Sequence, residues 1–149
     1  MTYRSSWSRD LDRVKDRPLV KVESADKEAI LSRIRDILEG DNRILLAVVF
    51  GSFTRHNTIR DIDLAVYMVG FTDAFDVLED CEELSSKLSS IIGIPVDVVL
   101  LQYSRDSVFN EALIHGTPII IRDPRLYEAL RLLALDQYKW ITSKTLTLI

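Results

Sequence analysis

The chain is poor in cysteine: Cys81 stands alone among 149 residues. One thiol cannot close an internal disulfide, so nothing supports a stapled, secreted scaffold. Long apolar runs are missing as well. The stretch Ile44 to Phe50 is among the longest, far short of the roughly 20 residues that a membrane-spanning helix needs. The opening MTYRSSWSRDLDRVKDRP is charged throughout and lacks the apolar core of an export signal. The expected location is the cytoplasm, with no role for a membrane. Positive charge is not in excess either. A net charge of −4 argues against a surface built for nucleic-acid backbones, because that affinity rests on many Lys and Arg contacts. No internal repeat or low-complexity tract occurs.

What is present suits a single soluble domain: 47% hydrophobic and 28% charged residues in a chain of this length can bury a sizeable core unaided. Residues 1–17 read as a charged N-terminal extension, with Arg4, Arg9, Arg13, Lys15 and Arg17 interspersed with Asp10, Asp12 and Asp16, as solvated segments are. Residues 18–141 read as the folded domain and 142–149 as a C-terminal tail.

Within the domain, helical and strand periods alternate. Ser24 is placed to cap a helix whose apolar positions are Ile30, Leu31, Ile34, Ile37 and Leu38, with Gly40 as its stop. Ile44 to Phe50 is short and β-branched enough for a strand covered on both faces. A second strand runs from Ile62 to Met68, and a helix from Thr72 to about Ser90 carries Phe75, Leu78, Cys81, Leu84 and Leu88 on its apolar stripe. Val96 to Leu101 makes a third strand. A helix over 105–114 is expected to end at His115-Gly116 with the glycine as a left-handed cap, which leaves His115 as a helix-end residue. Thr117 to Ile121 makes a fourth strand, and Asp123-Pro124 opens a long final helix. The alternation predicts one layered α/β (α+β) domain with a central sheet packed by helices.

Against this pattern three acidic residues stand out. Side chains repeat every second residue along a strand, so Asp61 and Asp63 point to one face with Cα atoms about 6.5 to 7 Å apart. Asp61 could be solvated at the strand's start, but Asp63 lies between Ile62 and Leu64. Asp97 is the only charged residue of its strand, and burying an unpaired carboxylate is costly. If the third strand lies beside the second, the three meet. Such an all-oxygen cluster suits Mg²⁺, which takes a few carboxylates and leaves its other positions to water and phosphates. Gly51-Ser52 directly follows a buried strand, where a glycine lets a ligand approach the backbone and N–H groups with a hydroxyl can hold phosphate oxygens. The Gly-Lys-Ser/Thr ending of a P-loop is absent. Arg55 and Arg60 are either phosphate partners or exposed loop arginines, and His56 reads as a surface loop residue.

Together, Gly51-Ser52, Asp61-x-Asp63 and Asp97 resemble the catalytic signature of the nucleotidyltransferase superfamily that includes DNA polymerase β, most closely its minimal nucleotidyltransferase branch. The resemblance is sharpest from Ala47 to Met68 and extends from about Ser24 to Tyr138. It implies the nucleotidyltransferase fold, with a mixed central sheet. It also implies that Gly51 and Ser52 hold the nucleotide triphosphate, that Asp61 and Asp63 coordinate the metals, and that Asp97 shares one metal and activates the attacking hydroxyl, which makes all three catalytic. Arg55 and Arg60 stay nucleotide-binding candidates on their guanidinium chemistry alone. Two Mg²⁺ ions, or Mn²⁺, would be the cofactors and ATP the donor of a nucleoside monophosphate. Two departures accompany it: the segment between Ser52 and Asp61 is short, and His56 and Arg60 stand where glycine and a small serine are usual.

The same branch includes antitoxins paired with HEPN ribonuclease toxins, in which the transferase adds AMP to a toxin tyrosine. The resemblance therefore implies a HEPN toxin as partner and a homo- or hetero-oligomer. Two other readings are a transferase acting on a small hydroxylated molecule and an inactive antitoxin that neutralises by contact alone. In the last helix, Leu126, Leu130 and Leu133 either pack on the sheet or dock a partner, whereas Tyr138, Trp140, Ile141 and the final LTLI read as interface residues.

Overall fold

The computed structural model describes residues 17–147. Residues 1–16 and 148–149, and the side chains from Tyr138 onward, those of Trp140, Ile141 and the terminal LTLI included, lie outside the described part. The elements run β1 (Val20–Lys21), α1 (Ser24–Glu39), β2 (Ile44–Phe50), α2 (Ser52–Arg55), β3 (Thr58–Ile59), β4 (Ile62–Met68), α3 (Ala74–Ile92), β5 (Val96–Leu100), α4 (Asp106–Asn110), β6 (Thr117–Ile121) and α5 (Pro124–Thr147). A 3₁₀ turn over Leu101–Tyr103 precedes α4, and a π turn over Glu111–His115 continues it.

Four strands form a mixed sheet in the order β5-β4-β2-β6. The central β2 runs antiparallel to both neighbours, and β4 and β5 are parallel, joined by α3. The alternation of ILLAVVF explains why β2 is central. Ala47 and Val49 face one core with Ile34 and Leu38 of α1 and Val77, Cys81 and Leu88 of α3. Leu46, Val48 and Phe50 face a second core with Leu113, Ala112 and Ala134. Both faces are apolar because helices cover both. The result is the single-domain mixed α/β architecture that the sequence predicts.

Several local expectations are corrected. Ser24 is the first helical residue of α1 rather than its cap: Glu23 takes the cap position, and the Asp26 carboxylate accepts from its backbone N–H at 3.3 Å. At the other end, Arg122 donates to the carbonyls of Glu39 (2.7 Å) and Asp41 (2.5 Å), closing the helix from a distant part of the chain. On α3, capped by Asp73, the inward stripe is Val77, Cys81, Leu84 and Leu88. Phe75 falls outside that stripe and is 60% exposed. Burial pushes the Cys81 thiol up to about 11, which suits an inert core residue.

Gly116 is extended, with φ −74°, rather than left-handed. Space is what requires glycine there, because a Cβ would run into the Ala112 carbonyl oxygen and Val48 Cγ1. Asp123 caps α5 as expected, its Oδ1 accepting from Leu126 N at 3.1 Å. Leu130 packs inward with Tyr127, and Leu126 is half-buried. Leu132 and Leu133 face out, at 58% and 50% exposure. Among the described residues, no helix is long and apolar enough to cross a membrane.

Candidate active site

The site lies where the parallel strands begin. β4 and β5 pair with Asp63 opposite Asp97, and Phe50 of β2 lies opposite Asp63 on the other side. Ile62, Leu64 and Val66 turn into the α1/α3 core. Period-two alternation therefore puts Asp61 and Asp63 on the opposite face, with Asp97 in register beside them. Each carboxylate can offer one oxygen such that all three oxygens lie within 4.8 Å of one another.

This proximity has an electrostatic cost. Burial, followed by the charges of Asp61 and Asp97, pushes the Asp63 carboxyl up to about 7. Asp61 is also raised, first by burial and then by Asp97, against the opposing pull of Arg17. Arg17 lies directly on the cluster. Its Nη1 donates to Asp97 Oδ2 at 2.8 Å and to Asp61 Oδ2 at 3.3 Å, and its Nη2 donates to Asp97 Oδ1 at 3.3 Å. Read from the sequence as the end of a solvated extension, Arg17 is instead a part-buried cation with 19% of its side chain exposed.

Gly51 completes the cradle. Its φ of +78° is disfavoured for other residues, and a Cβ on it would lie 2.5 Å from Asp63 Oδ2. The expected Gly-Ser turn is the start of a helical turn, α2, anchored by the buried Phe53. Lys27 lies over the Phe53 ring at 5.5 Å and donates to the His56 carbonyl at 2.6 Å. His56 itself is exposed on the surface loop. Ser52 opens α2 beside the acidic cluster's glycine. Arg60 is half-buried and donates through Nε to the Arg17 carbonyl at 3.3 Å. Arg55 is ion-paired with Glu111 of the π turn.

The three carboxylates and the glycine therefore converge, and Arg60 is near them through Arg17. An all-oxygen donor set short of counter-charge, already attracting a guanidinium, fits a hard divalent cation. Residues 32–125 match the family described as polymerase beta, nucleotidyltransferase. The chain belongs to the polymerase beta nucleotidyltransferase family. The matched stretch holds Gly51, Ser52, Asp61, Asp63 and Asp97 of this nucleotidyltransferase. No curated protein matches the chain.

Solved structures share the fold. The chain is similar to a mutant of the MntA-HpeT toxin-antitoxin, at 18% identity and TM-score 0.63, over 79% of this chain and 93% of that one. It is similar to a toxin-antitoxin with AMP-PNP, at 21% identity and TM-score 0.62, over 79% and 94%. It also resembles a chain of the complex described as tri-AMPylated Shewanella oneidensis HEPN toxin with MNT antitoxin, at 20% identity and TM-score 0.61, over 82% and 94%.

Two residues of the site region escaped the sequence reading. Arg17 lies 44 and 80 positions from its carboxylate partners in a segment of mixed charge that marks no single residue. Glu111 sits in a helical stretch whose π turn has no local signal.

Proposed function

We propose that this nucleotidyltransferase moves AMP from ATP onto a hydroxyl, and that the hydroxyl belongs to a tyrosine of a HEPN toxin which the modification silences. The observation that carries the reading is the register pairing of Asp63 with Asp97, which gathers three carboxylates beside Gly51. The fold-level likeness to complexes described as containing AMP-PNP and a tri-AMPylated HEPN toxin supports the choice of nucleotide and partner.

In this reading, Asp61, Asp63 and Asp97 hold Mg²⁺, or Mn²⁺. Bound there, the ions would neutralise charge on the attacking and leaving oxygens. Asp63 must be ionised to act as a ligand. Asp97 is given the role of receiving the proton of an incoming hydroxyl on the family resemblance, and its 37% side-chain exposure against 14% for Asp61 is compatible with that role. The hydroxyl oxygen bonds to the α-phosphorus as the bond to the bridging oxygen breaks, and pyrophosphate leaves. Gly51 and Ser52 orient the triphosphate through backbone N–H groups and the hydroxyl, while Arg60 and Arg55 supply guanidinium donors. Residues 18–141 would form the transferase unit, acting in the cytoplasm. The exposed Leu132 and Leu133 on α5 offer an apolar face for the toxin.

The test is incubation of the purified chain with Mg²⁺, ATP and its HEPN partner, read by intact mass. A gain of AMP on the toxin with native protein, and none with Asp63→Asn, is expected. Full transfer by a well-folded Asp63→Asn protein would overturn the assignment. A nucleotide-binding chain that never modifies the toxin would leave a small hydroxylated acceptor as the target of the same site.

A further inference from the structure

The guanidinium of Arg17 bonds carboxylate oxygens of two of the three residues that could hold a metal. Nη1 is shared between Asp61 Oδ2 and Asp97 Oδ2, and these carboxylates belong to the group whose oxygens converge within 4.8 Å. A cation held by these carboxylates would compete with the guanidinium for their lone pairs and their negative charge. Arg17 is also held in place by its backbone. Its carbonyl accepts from Arg60 Nε at 3.3 Å, immediately before Asp61. Three residues on, β1 pairs antiparallel with β3, Val20 opposite Ile59 and Lys21 opposite Thr58. Val22 N extends this clamp by donating to the Asn57 carbonyl at 2.6 Å. The short ladder thus fixes the segment carrying Arg17 to the segment leading into the acidic pair.

A guanidinium is a permanent cation, so it relieves carboxylate repulsion whenever no other cation is present. We propose that Arg17 is a built-in counter-ion that occupies the divalent-metal seat of the free protein and must be displaced before metal can bind. The inference rests on reading the triad as that seat. It adds a gate: metal affinity is set below what the three carboxylates alone would give. Arg17 touches no substrate in this arrangement and acts on the reaction through site occupancy. Once displaced, it stays tethered beside the site through the β1–β3 clamp, ready to return when metal leaves.

The test is calorimetric titration of the full chain with Mn²⁺ alone, comparing native protein, Arg17→Gln and Arg17→Lys. Removing a charged, part-buried hydrogen-bonding competitor should tighten Mn²⁺ binding about tenfold in Arg17→Gln. Arg17→Lys, which keeps the charge but loses the two-pronged geometry, should fall between the two. Thermal melts add an independent readout. Without metal, Arg17→Gln should melt below native protein, and saturating Mn²⁺ should raise its Tm by more than it raises the native value. Equal or weaker Mn²⁺ binding by folded Arg17→Gln, with native protein binding normally, would overturn the gate and leave the metal seat standing. Failure of all three folded proteins to bind Mn²⁺ would remove the metal seat itself, and the gate with it.

Discussion

Asp63 and Asp97 are direct partners across the parallel β4–β5 pair, so two like charges share one rung of a ladder whose other rungs are apolar. Nothing in a sheet's own energetics favours this pairing, since like charges directly opposite are destabilising. The arrangement exchanges stability for a cation site, and that exchange can be measured.

Replacing Asp63 with Asn removes a carboxylate that burial and its neighbours hold protonated up to about 7. At pH 8 the metal-free native protein carries this charge unfavourably. Asp63→Asn should therefore be more stable there, on the order of 2 to 4 kcal/mol, while losing Mg²⁺-dependent ATP binding. Denaturant melts paired with calorimetry check both halves. A variant that is less stable and still binds would refute the exchange.

The pH dependence has a definite sign. In the unfolded chain Asp63 ionises near its ordinary value of 3.8, and in the folded chain near 7. Between these values the folded state holds the extra proton, so the contribution of Asp63 to stability is complete below pH 4 and is lost as pH rises through 7. Asp41 works the other way: hydrogen bonding from Arg43 holds it below its usual range, so its contribution is full above the ordinary value of 3.8 and is lost as pH falls from there through the lowered value. Subtracting the Asp63→Asn profile from the native one isolates the first effect. The difference should fall from pH 4 to 7 without metal and flatten when saturating Mn²⁺ keeps the carboxylate ionised.

Gly51 should tolerate no side chain. Gly51→Ala combines a φ of +78° with a Cβ 2.5 Å from Asp63 Oδ2, a strain of about 1 to 3 kcal/mol. It should also turn Asp63 away, so Mn²⁺ affinity drops along with Tm. Gly116→Ala, whose Cβ meets Ala112 and Val48, should lower Tm while leaving Mn²⁺ affinity unchanged. Equal metal affinity in native protein and Gly51→Ala would show that the cradle is not required.

These outcomes depend on features of unequal visibility in the sequence. The strands β2, β4 and β6 are legible to the residue because each centres on an apolar run bounded by polar or turn residues, a pattern that burial in the sheet rewards. Asp63 and Asp97 are legible as lone charges in such runs. Their meeting is not, because strand order and register are settled by how α3 packs, not by either strand. The β1–β3 ladder and α2 are too short for any period to appear. Phe53 reads as a loop residue until the core receives it. Gly116 reads as a cap because part of its requirement for space comes from Val48, 68 positions away. Arg17 is invisible for the same reason: its meaning lies in the carboxylates it meets.

The Arg55–Glu111 pair gives a last expectation. Arg55 is a candidate phosphate partner, yet in this structure its charge is engaged by a carboxylate of the π turn. If Arg55 serves the nucleotide, that pair must open on binding. The pair is largely exposed on the arginine side, where such bridges contribute about 0.2 to 1 kcal/mol. Glu111→Gln, which releases Arg55 without removing it, should tighten Mg²⁺-ATP binding by about two- to fivefold. Arg55→Ala should weaken binding, and the double variant should match Arg55→Ala, because the glutamate then has no arginine to restrain. The decisive comparison is Glu111→Gln in the two backgrounds. An equal gain with and without Arg55 would mean that Glu111 acts by simple charge repulsion of the triphosphate, and Arg55 would drop out of the nucleotide site.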